Sequence, residues 1–464
     1  MSASQKVLKA LGVFGSVQSV GILCSIVRAK LIAIAIGSVG VGLFGIFNAV
    51  IELMATATQL NMRQSAVRDI ADASEAGRRR MASAVRWWAR VLGMFGAVAI
   101  IALSPVLSFI SFKTLDWWWA FASLSVVLFC SSITGGEQTI LQGTGQLKRL
   151  AHAVMWGSVV GTALSAPMYF LLGEGSIIPS LIVFGLSSMA ASLISCRYAG
   201  VRMPWRQKMA EGKGFLRLGA YLTVSSLVAL GASYIFKSFL ALRDGLDAVG
   251  LYQAGYTLMV NYVGIVFTAI GMEFYPRLSS VAMRTRIATR VVSHEVALLM
   301  CVLAPLVVAF TMADELMVRI LYTDAFLPIV PMILFGIGGA VFRAIAYCHS
   351  FVVVARADGK CFVVVEIASA VIGLALNILF YDYWGIPGLG LSYALWYAIY
   401  AGAVVGVCHW RYGLHLSRKS AFTALAAIAI AASAILLRHI GWWAPALMLP
   451  ACALTALLAR RRRA

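Results

Sequence analysis

Long apolar runs set the first limit on what this chain can fold into. Stretches of about 20 mostly apolar residues recur from one end to the other, and about fourteen can be counted. An α-helix needs this length to cross the hydrocarbon core of a bilayer, and only helices or closed barrels satisfy their backbone there. Apolar residues make up 61% of the chain and charged residues 12%. The sequence therefore predicts an all-α integral membrane protein with about fourteen transmembrane helices.

The loop charges predict the orientation of these helices. About thirty Lys and Arg residues fall in connections on one side of the predicted membrane and about four on the other. This bias indicates an even number of spans with both termini in the cytoplasm. The net charge of +20 arises from these loops, so it does not indicate a nucleic-acid partner. The first residues lack a signal-peptide cleavage site, and we expect the first run to remain as a span.

A repeated stretch predicts the domain organisation. Val41-Gly-Leu-Phe44 returns about 200 residues later as Val249-Gly-Leu-Tyr252, each copy inside one apolar span. The repeat predicts two pseudo-symmetric six-helix lobes around a central cavity, as in transporters whose halves rock against each other. The predicted divisions are 1–211 for the N-lobe, 212–411 for the C-lobe, and 412–464 for two additional helices and a basic tail. The basic segment 201–215 reads as the linker between the lobes.

Cations inside predicted spans are the main indication of function. An ionisable residue within a span is costly to leave unpaired and is functional by default. Four cations of this kind form the predicted substrate site: Arg28, Lys30, Lys237 and Arg343. Guanidinium and ammonium groups from both lobes would make the cavity electropositive and suit phosphate oxygens. On the register of the repeat, Lys237 falls between Arg28 and Lys30.

Structural roles for the same cations stay open. Lys30 and Lys237 lie in the outer halves of their spans, from where they can snorkel to the headgroups. Arg343 is close to mid-span, and its competing role is an ion pair with Glu52 or Glu366. Arg28 and Lys30 are two residues apart on a helix, so both cannot face one cavity squarely. We favour Lys30 as the cavity residue.

Acidic and amide side chains in the spans supply further candidates. The acids Glu52, Glu137 and Glu366 either neutralise part of the cationic charge or carry a coupling proton. The candidate glycan contacts are Asn48, Gln138, Gln142, Gln253 and Asn261. Ordinary packing is the competing interpretation for each of these amides.

The sequence contains no catalytic or cofactor motif. Gly40 to Gly45 matches GxGxxG, but a dinucleotide site needs a preceding strand and a following soluble helix, so we expect these glycines to serve helix packing. The eight cysteines have no paired CxxC spacing, and the six histidines no HExxH. We therefore predict no cofactor, no metal and no enzyme activity.

Several motifs resemble a known family. The pattern K-L-I-A-x3-G-x2-G-V-G-L-F runs from Lys30 to Phe44, and V-G-L-Y-Q-A from Val249 to Ala254. Y-P-R-L-S follows at Tyr275–Ser279, and then the stretch Arg343–Asp358. Together they resemble the O-antigen and enterobacterial-common-antigen flippases of the multidrug/oligosaccharidyl-lipid/polysaccharide exporter superfamily.

The resemblance implies a function and a location. Such flippases move undecaprenyl-pyrophosphate-linked oligosaccharide from the cytoplasmic to the periplasmic leaflet of the bacterial inner membrane. The implied partners are this lipid, a coupling proton or sodium ion, and polysaccharide polymerase and chain-length proteins. Lys30 and Arg343 fall where the family places cations, whereas the two additional C-terminal helices are a departure from many relatives.

Other functions predict other features. A lipid II flippase or teichoic-acid exporter would share nearly all of the features above. A multidrug or cation antiporter predicts an acid early in the first span, where this chain has Arg28 and Lys30. A membrane polysaccharide polymerase or ligase predicts a large outside loop with clustered Arg and His, which the sequence lacks.

Overall fold

The computed structural model describes residues 20–441 and 443–453, and all regular structure in these ranges is helical. Helix α1 covers residues 20–35 of the described chain. The following helices are α2 Ser38–Gln59, α3 Met62–Asp72, α4 Glu75–Phe112, α5 Trp118–Gly143, α6 Leu147–Leu172, α7 Ile177–Ser195, α8 Trp205–Tyr256, α9 Val263–Ser279, α10 Thr285–Leu321, α11 Val330–Ala355, α12 Gly359–Tyr412 and α13 Arg418–Leu437. A π-helical segment, Thr257–Tyr262, joins α8 to α9, and short 3-10 turns lie at Gly173–Ser176, Asp324–Ile329 and Ala444–Met448.

The helices account for the predicted spans. Within the described residues, nine segments are long and apolar enough to cross a membrane. Leu147–Ser195, Thr223–Thr268 and Gly359–Tyr412 have 49, 46 and 54 residues, and a span takes about 20, so each is long enough for two. Helix α1 and the apolar helix Ala444–Ala453 match the first and last predicted spans. The prediction of an all-α membrane protein with about fourteen spans is confirmed.

Glycines mark the breaks inside the two longest helices. In α8 the backbone leaves helical geometry at Gly245, where φ is 82°, and in α12 it does so at Gly385, where φ is 61°. Positive φ costs a residue with a Cβ free energy that glycine avoids. In α12 two spans therefore meet at Gly385, and in α8 Gly245 ends one span while the next continues through the π-helical segment into α9.

The chain forms two compact units that divide between Gly250 and Leu251. In the first unit, α4 packs on α5, α6 on α7, and α5 on α7, while α2 lies against α4 and α5. One apolar cluster of this unit contains the fully buried residues Ile70, Val85 and Ile140, from α3, α4 and α5. The contacts of α2 with α4 and α5 position the candidate residues Asn48 and Glu52.

In the second unit, α11 packs on α12 and α10, and α13 packs on α10. The ends of α13 are tied to α10 by polar contacts. Ser417 N donates to Ser293 Oγ over 3.0 Å just before α13, and Arg438 just after it donates two bonds of 3.1 Å to the buried carboxylate of Asp314. The additional helix predicted after the repeat is therefore anchored on the second unit.

The segment predicted as a linker differs in its local structure. Residues 201–204 are non-helical, but α8 begins at Trp205, so most of the predicted 201–215 linker is helical. The stretch has no helix-breaking proline after Pro204, and nothing local stops a helix from starting there. The repeat-based division at 211/212 stays a prediction.

Candidate substrate site

Helix α2 carries the candidate site of the first unit. Phe44, Asn48 and Glu52 are spaced four residues apart, so they lie on one face of the helix. Asn48 Nδ2 donates to Glu52 Oε1 over 2.9 Å, and the Glu52 side chain is exposed. The sequence-predicted amide and acid therefore belong to one polar surface of α2.

Lys237 reaches this helix from α8. Its side chain is only 8% exposed, and Nζ donates to the carbonyl of Gly45 over 3.1 Å. An ammonium has three N–H donors. In the described part of this unit, Nζ of Lys237 donates to one acceptor, Gly45 O. A buried cation with donors to spare is suited to an anionic ligand.

Arg28 reaches the same helix from α1. Its guanidinium lies 5.0 Å from the ring centroid of Phe44 and 4.3 Å from that of Phe184 on α7. Among the described residues of this unit, no carboxylate forms an ion pair with it. Lys30, the residue favoured from the sequence, is half-buried two positions further along α1, and its role stays a prediction. The structure thus brings Arg28 and Lys237 to two consecutive residues of α2, Phe44 and Gly45.

Arg343 is the candidate cation of the second unit. From α11, its Nη1 donates to the carbonyl of Val260 in the π-helical segment over 3.1 Å and to Tyr393 Oη over 3.4 Å. The guanidinium also lies 4.9 Å from the ring centroid of Phe267 and 5.8 Å from that of Tyr397. Within the described part of its own unit Arg343 has no carboxylate partner, so the competing ion pair with Glu366 is not formed.

A stripe of tyrosines extends from Arg343 to Glu366. Tyr393, Tyr397 and Tyr400 lie on one face of α12, and their neighbouring ring centroids are 4.7 and 6.3 Å apart. The hydroxyl of Tyr400 donates to Glu366 Oε1 and also contacts Ser350 Oγ at 3.5 Å. Glu366 is therefore held by a hydroxyl and keeps no cationic partner among the described residues of its unit.

Other arginines are bound by carboxylates. Arg86 Nε and Nη2 donate to the two oxygens of Glu137 over 2.7 and 2.8 Å, and Nη1 donates to the carbonyl of Tyr198 over 2.9 Å. Similar pairs join Arg277 to Glu295 and Arg438 to Asp314. For Arg86 and Arg438 a bidentate carboxylate occupies the fork of the guanidinium, and Arg277 contacts Glu295 and Glu273 through one nitrogen each. These arginines therefore hold helices together and offer little to a ligand.

An ion pair also closes the loop between α11 and α12. Arg411 Nε donates to Asp358 Oδ2 over 2.7 Å, and Tyr412 Oη donates to the same oxygen over 2.9 Å. These hydrogen bonds, with that of Arg411 the strongest, hold the pKa of Asp358 below its ordinary value. Asp358 also accepts from Cys361 N at the start of α12, so one carboxylate joins both ends of this helix.

The remaining predicted site residues are dispersed. Glu137 is only 5% exposed and is engaged by Arg86, which explains its burial without any ion-coupling role. Gln138 donates to Ser192 Oγ over 3.4 Å, and Gln253 donates to Thr257 Oγ1 over 3.3 Å. Gln142 is half-buried near the C-terminal end of α5, and Asn261 is exposed in the π-helical segment. These hydrogen bonds hold Gln138 to α7 and Gln253 to the π-helical segment.

Sequence reasoning missed the aromatic partners of the arginines. Phe184 was indistinguishable from any other apolar residue of α7, because nothing local connects it to Arg28. Tyr393, Tyr397 and Tyr400 had a recognisable signal, since three hydroxyls at spacings of four and three lie on one helical face. In the described residues, no three His, Cys, Asp or Glu side chains are grouped as metal ligands.

Paired helical spans and unneutralised cations within them define the class: a multi-pass membrane protein with the architecture of a transporter. Comparisons with known proteins agree. Residues 39–331 match the family model described as "Polysaccharide biosynthesis protein". Because this match covers more than half of the chain, the chain belongs to that family.

Individual relatives extend the comparison. The chain is 20% identical over 393 residues to the Lipid III flippases of Escherichia coli (strain K12) and Shigella flexneri, covering 82% of this chain and 92% of each relative. Its fold is similar to that of lipid II flippase MurJ in an inward closed conformation, with a TM-score of 0.70, 12% identity, and coverage of 96% of this chain and 97% of MurJ. An inward-facing multidrug resistance MATE family transporter of the MOP superfamily has a TM-score of 0.65 at 16% identity, covering 85% and 94%.

These comparisons confirm the resemblance to the exporter superfamily. The family match also agrees with the prediction of a membrane protein of polysaccharide biosynthesis, and the relatives named above are flippases and transporters, not enzymes.

Proposed function

We propose that this protein flips undecaprenyl-pyrophosphate-linked oligosaccharide from the cytoplasmic to the periplasmic leaflet of the bacterial inner membrane. The observation that carries the proposal is the state of its intramembrane cations. Among the described residues of their own units, Arg28 and Arg343 lie against aromatic rings and form no ion pair, and buried Lys237 donates to one carbonyl. Cations left unneutralised within spans suit a substrate that brings its own negative charge, as a pyrophosphate does.

The cycle we propose is alternating access. Arg28, Lys30, Lys237 and Arg343 draw in the pyrophosphate while the polyprenyl tail stays in the bilayer. The lobes, 1–211 and 212–411, then reorient while both termini stay in the cytoplasm. The proposed glycan contacts are Asn48, Gln138, Gln142, Gln253 and Asn261. The helices within 412–464 move with the C-lobe, because α13 is anchored on α10 at both ends.

Release requires the contact between cation and phosphate to weaken. We propose that a proton or sodium ion from the membrane gradient acts at Glu52 or Glu366. Glu52 accepts from Asn48 on the helix that Lys237 contacts, and Glu366 lies at the far end of the tyrosine stripe from Arg343. Glu137 is the weakest of the three predicted coupling residues, because Arg86 occupies both of its oxygens. Polymerase and chain-length proteins are the proposed downstream partners.

Reconstitution into liposomes tests the proposal. The substrate is a short oligosaccharide on undecaprenyl pyrophosphate, and flipping is followed by enzymatic access to the outer leaflet. Losing a charge-assisted contact to phosphate should slow transport at least about tenfold in each of Arg28→Ala, Lys237→Ala and Arg343→Ala. Arg319→Ala is the matched control, since this arginine is 55% exposed and pairs with Asp324. Control-like rates in all three variants would exclude the cationic site.

A multidrug antiporter is the second candidate. The exposed carboxylate of Glu52, oriented by Asn48, is the kind of group that a cationic drug could meet. Transport of a cationic dye by the same liposomes, lost in Glu52→Gln and retained in Arg343→Ala, would favour this function over the flippase.

A further inference from the structure

Phe184 and Phe267 are the rings nearest to Arg28 and Arg343. The guanidinium of Arg28 lies 4.3 Å from the Phe184 centroid, and that of Arg343 lies 4.9 Å from the Phe267 centroid. Each guanidinium has a second ring within reach, Phe44 at 5.0 Å and Tyr397 at 5.8 Å. In the described residues, a guanidinium with two rings within reach is thus found in each unit, on helices that are not equivalent in the sequence repeat.

We propose that Phe184 and Phe267 are positioning residues, which keep Arg28 and Arg343 charged, oriented and unneutralised so that their N–H groups can bind phosphate oxygens. The inference rests on the proposed function, because it names how the cationic site is prepared for a pyrophosphate.

The physical reason lies in how a ring and a carboxylate stabilise a guanidinium. A ring face attracts the cation through its quadrupole but accepts none of the strong in-plane hydrogen bonds. A carboxylate occupies the bidentate fork and cancels the charge, as Glu137 does for Arg86. Phosphate needs the same fork. An arginine held by rings is therefore ready for an anion, whereas one held by a carboxylate is not.

Both rings are themselves fixed by packing. Phe184 lies against Gly161 of α6, where an added Cβ would come within 2.7 Å of the ring. Phe267 is 2% exposed, its ring centroid is 5.2 Å from that of Tyr347, and Tyr347 Oη donates to the Phe267 carbonyl over 2.7 Å. Side chains locked in this way can define the orientation of a long, flexible arginine.

Graded fluorination of the rings tests the proposal without changing their shape. Phe184, and separately Phe267, is replaced in the full chain by mono-, di- and trifluorophenylalanine, and the proteins are placed in lipid nanodiscs. The probe is undecaprenyl pyrophosphate, with undecaprenol as the uncharged comparison. Each fluorine weakens the ring quadrupole, so we expect affinity to fall stepwise by about tenfold over the series, at constant melting temperature.

The controls separate positioning from general packing. Phe170, which is 59% exposed on α6, should show no dependence on fluorination. In the Arg28→Ala variant, fluorination of Phe184 should no longer change the affinity for undecaprenyl pyrophosphate. If the protein with its native arginines binds the probe but its affinity does not change with fluorination, the positioning role alone is overturned. Failure of the unmodified protein to prefer undecaprenyl pyrophosphate over undecaprenol would overturn the proposed function, and the inference with it.

Discussion

Gly42 packs against the backbone of Leu246, and Gly250 packs in the same way against the backbone of Ser38. A Cβ at Gly42 would lie less than 3.0 Å from the carbonyl oxygen of Leu246, and one at Gly250 equally close to the carbonyl oxygen of Ser38. Each carbonyl belongs to the residue directly after a positive-φ glycine, Gly37 or Gly245. The two copies of the V-G-L-[FY] motif therefore meet backbone to backbone, which explains why both have glycine at this position.

Alanine at either of these glycines should disrupt the contact. Overpacking a close backbone contact costs about 1–3 kcal/mol, so Gly42→Ala and Gly250→Ala should each lower the melting temperature by several degrees. Because helix starts that meet this closely must separate if the spans reorient, transport should also change. Scanning fluorimetry in detergent checks the first effect. Gly231→Ala, a site on α8 with nothing within 4 Å of the added Cβ, is the control and should leave stability unaltered.

Lys237 should be needed for binding more than for folding. Replacing it with Met removes one hydrogen bond to Gly45 O, worth about 1 kcal/mol, but also removes the cost of burying a charge. We expect Lys237→Met to melt at or above the temperature of the native protein and to bind undecaprenyl pyrophosphate at least about tenfold more weakly. A large loss of stability with unchanged binding would instead assign Lys237 a structural role.

Glu137 should be needed for folding more than for transport coupling. Removing one partner of a buried pair leaves an uncompensated charge and costs about 3–5 kcal/mol. Glu137→Gln should therefore unfold at clearly lower denaturant concentration, and adding Arg86→Gln should restore part of the stability. Chemical denaturation of the two single variants and the double variant measures this coupling. If Glu137→Gln folds normally but abolishes the dependence of transport on the proton gradient, Glu137 is a coupling residue after all.

Glu366 and Tyr400 should act as a pair. Because the Tyr400 hydroxyl donates to Glu366, Glu366→Gln and Tyr400→Phe should have similar effects on transport, and the double variant should add little. The measurement is initial flipping rate with and without an imposed proton gradient. Tyr383→Phe is the control, because the Tyr383 side chain is exposed on the surface of α12. Additive effects of the two substitutions would exclude a shared role.

Asp358 should contribute stability that depends on pH. Its pKa is held below the ordinary value chiefly by the hydrogen bond from Arg411, so its contribution is present above an unfolded-state pKa of about 3.9 and is lost as pH falls through the folded-state pKa. Asp358→Asn should lower the melting temperature at pH 7 and lower it by less at pH 3. An equal difference at both pH values would show that the charge of Asp358 is not responsible.

Span length and loop charge are local properties, and they were enough to predict the helical class and the number of spans. The repeat also identified the motif in which Gly42 and Gly250 are equivalent. Their direct contact was not predictable, because equivalence in sequence does not require proximity in space.

Tertiary structure decided which charged residues are neutralised. The sequence placed Glu137 and Glu366 in the same category, yet packing joins Glu137 to an arginine 51 residues away and leaves Glu366 with a tyrosine. The tertiary structure likewise places Arg28 against the rings of Phe44 and Phe184. From the sequence, Lys30 was favoured over Arg28 as the cavity residue, and that preference stays a prediction. A sequence determines that a charge lies within the membrane, because hydropathy is local. Its partner depends on which helix faces pack together, and only the folded chain determines that.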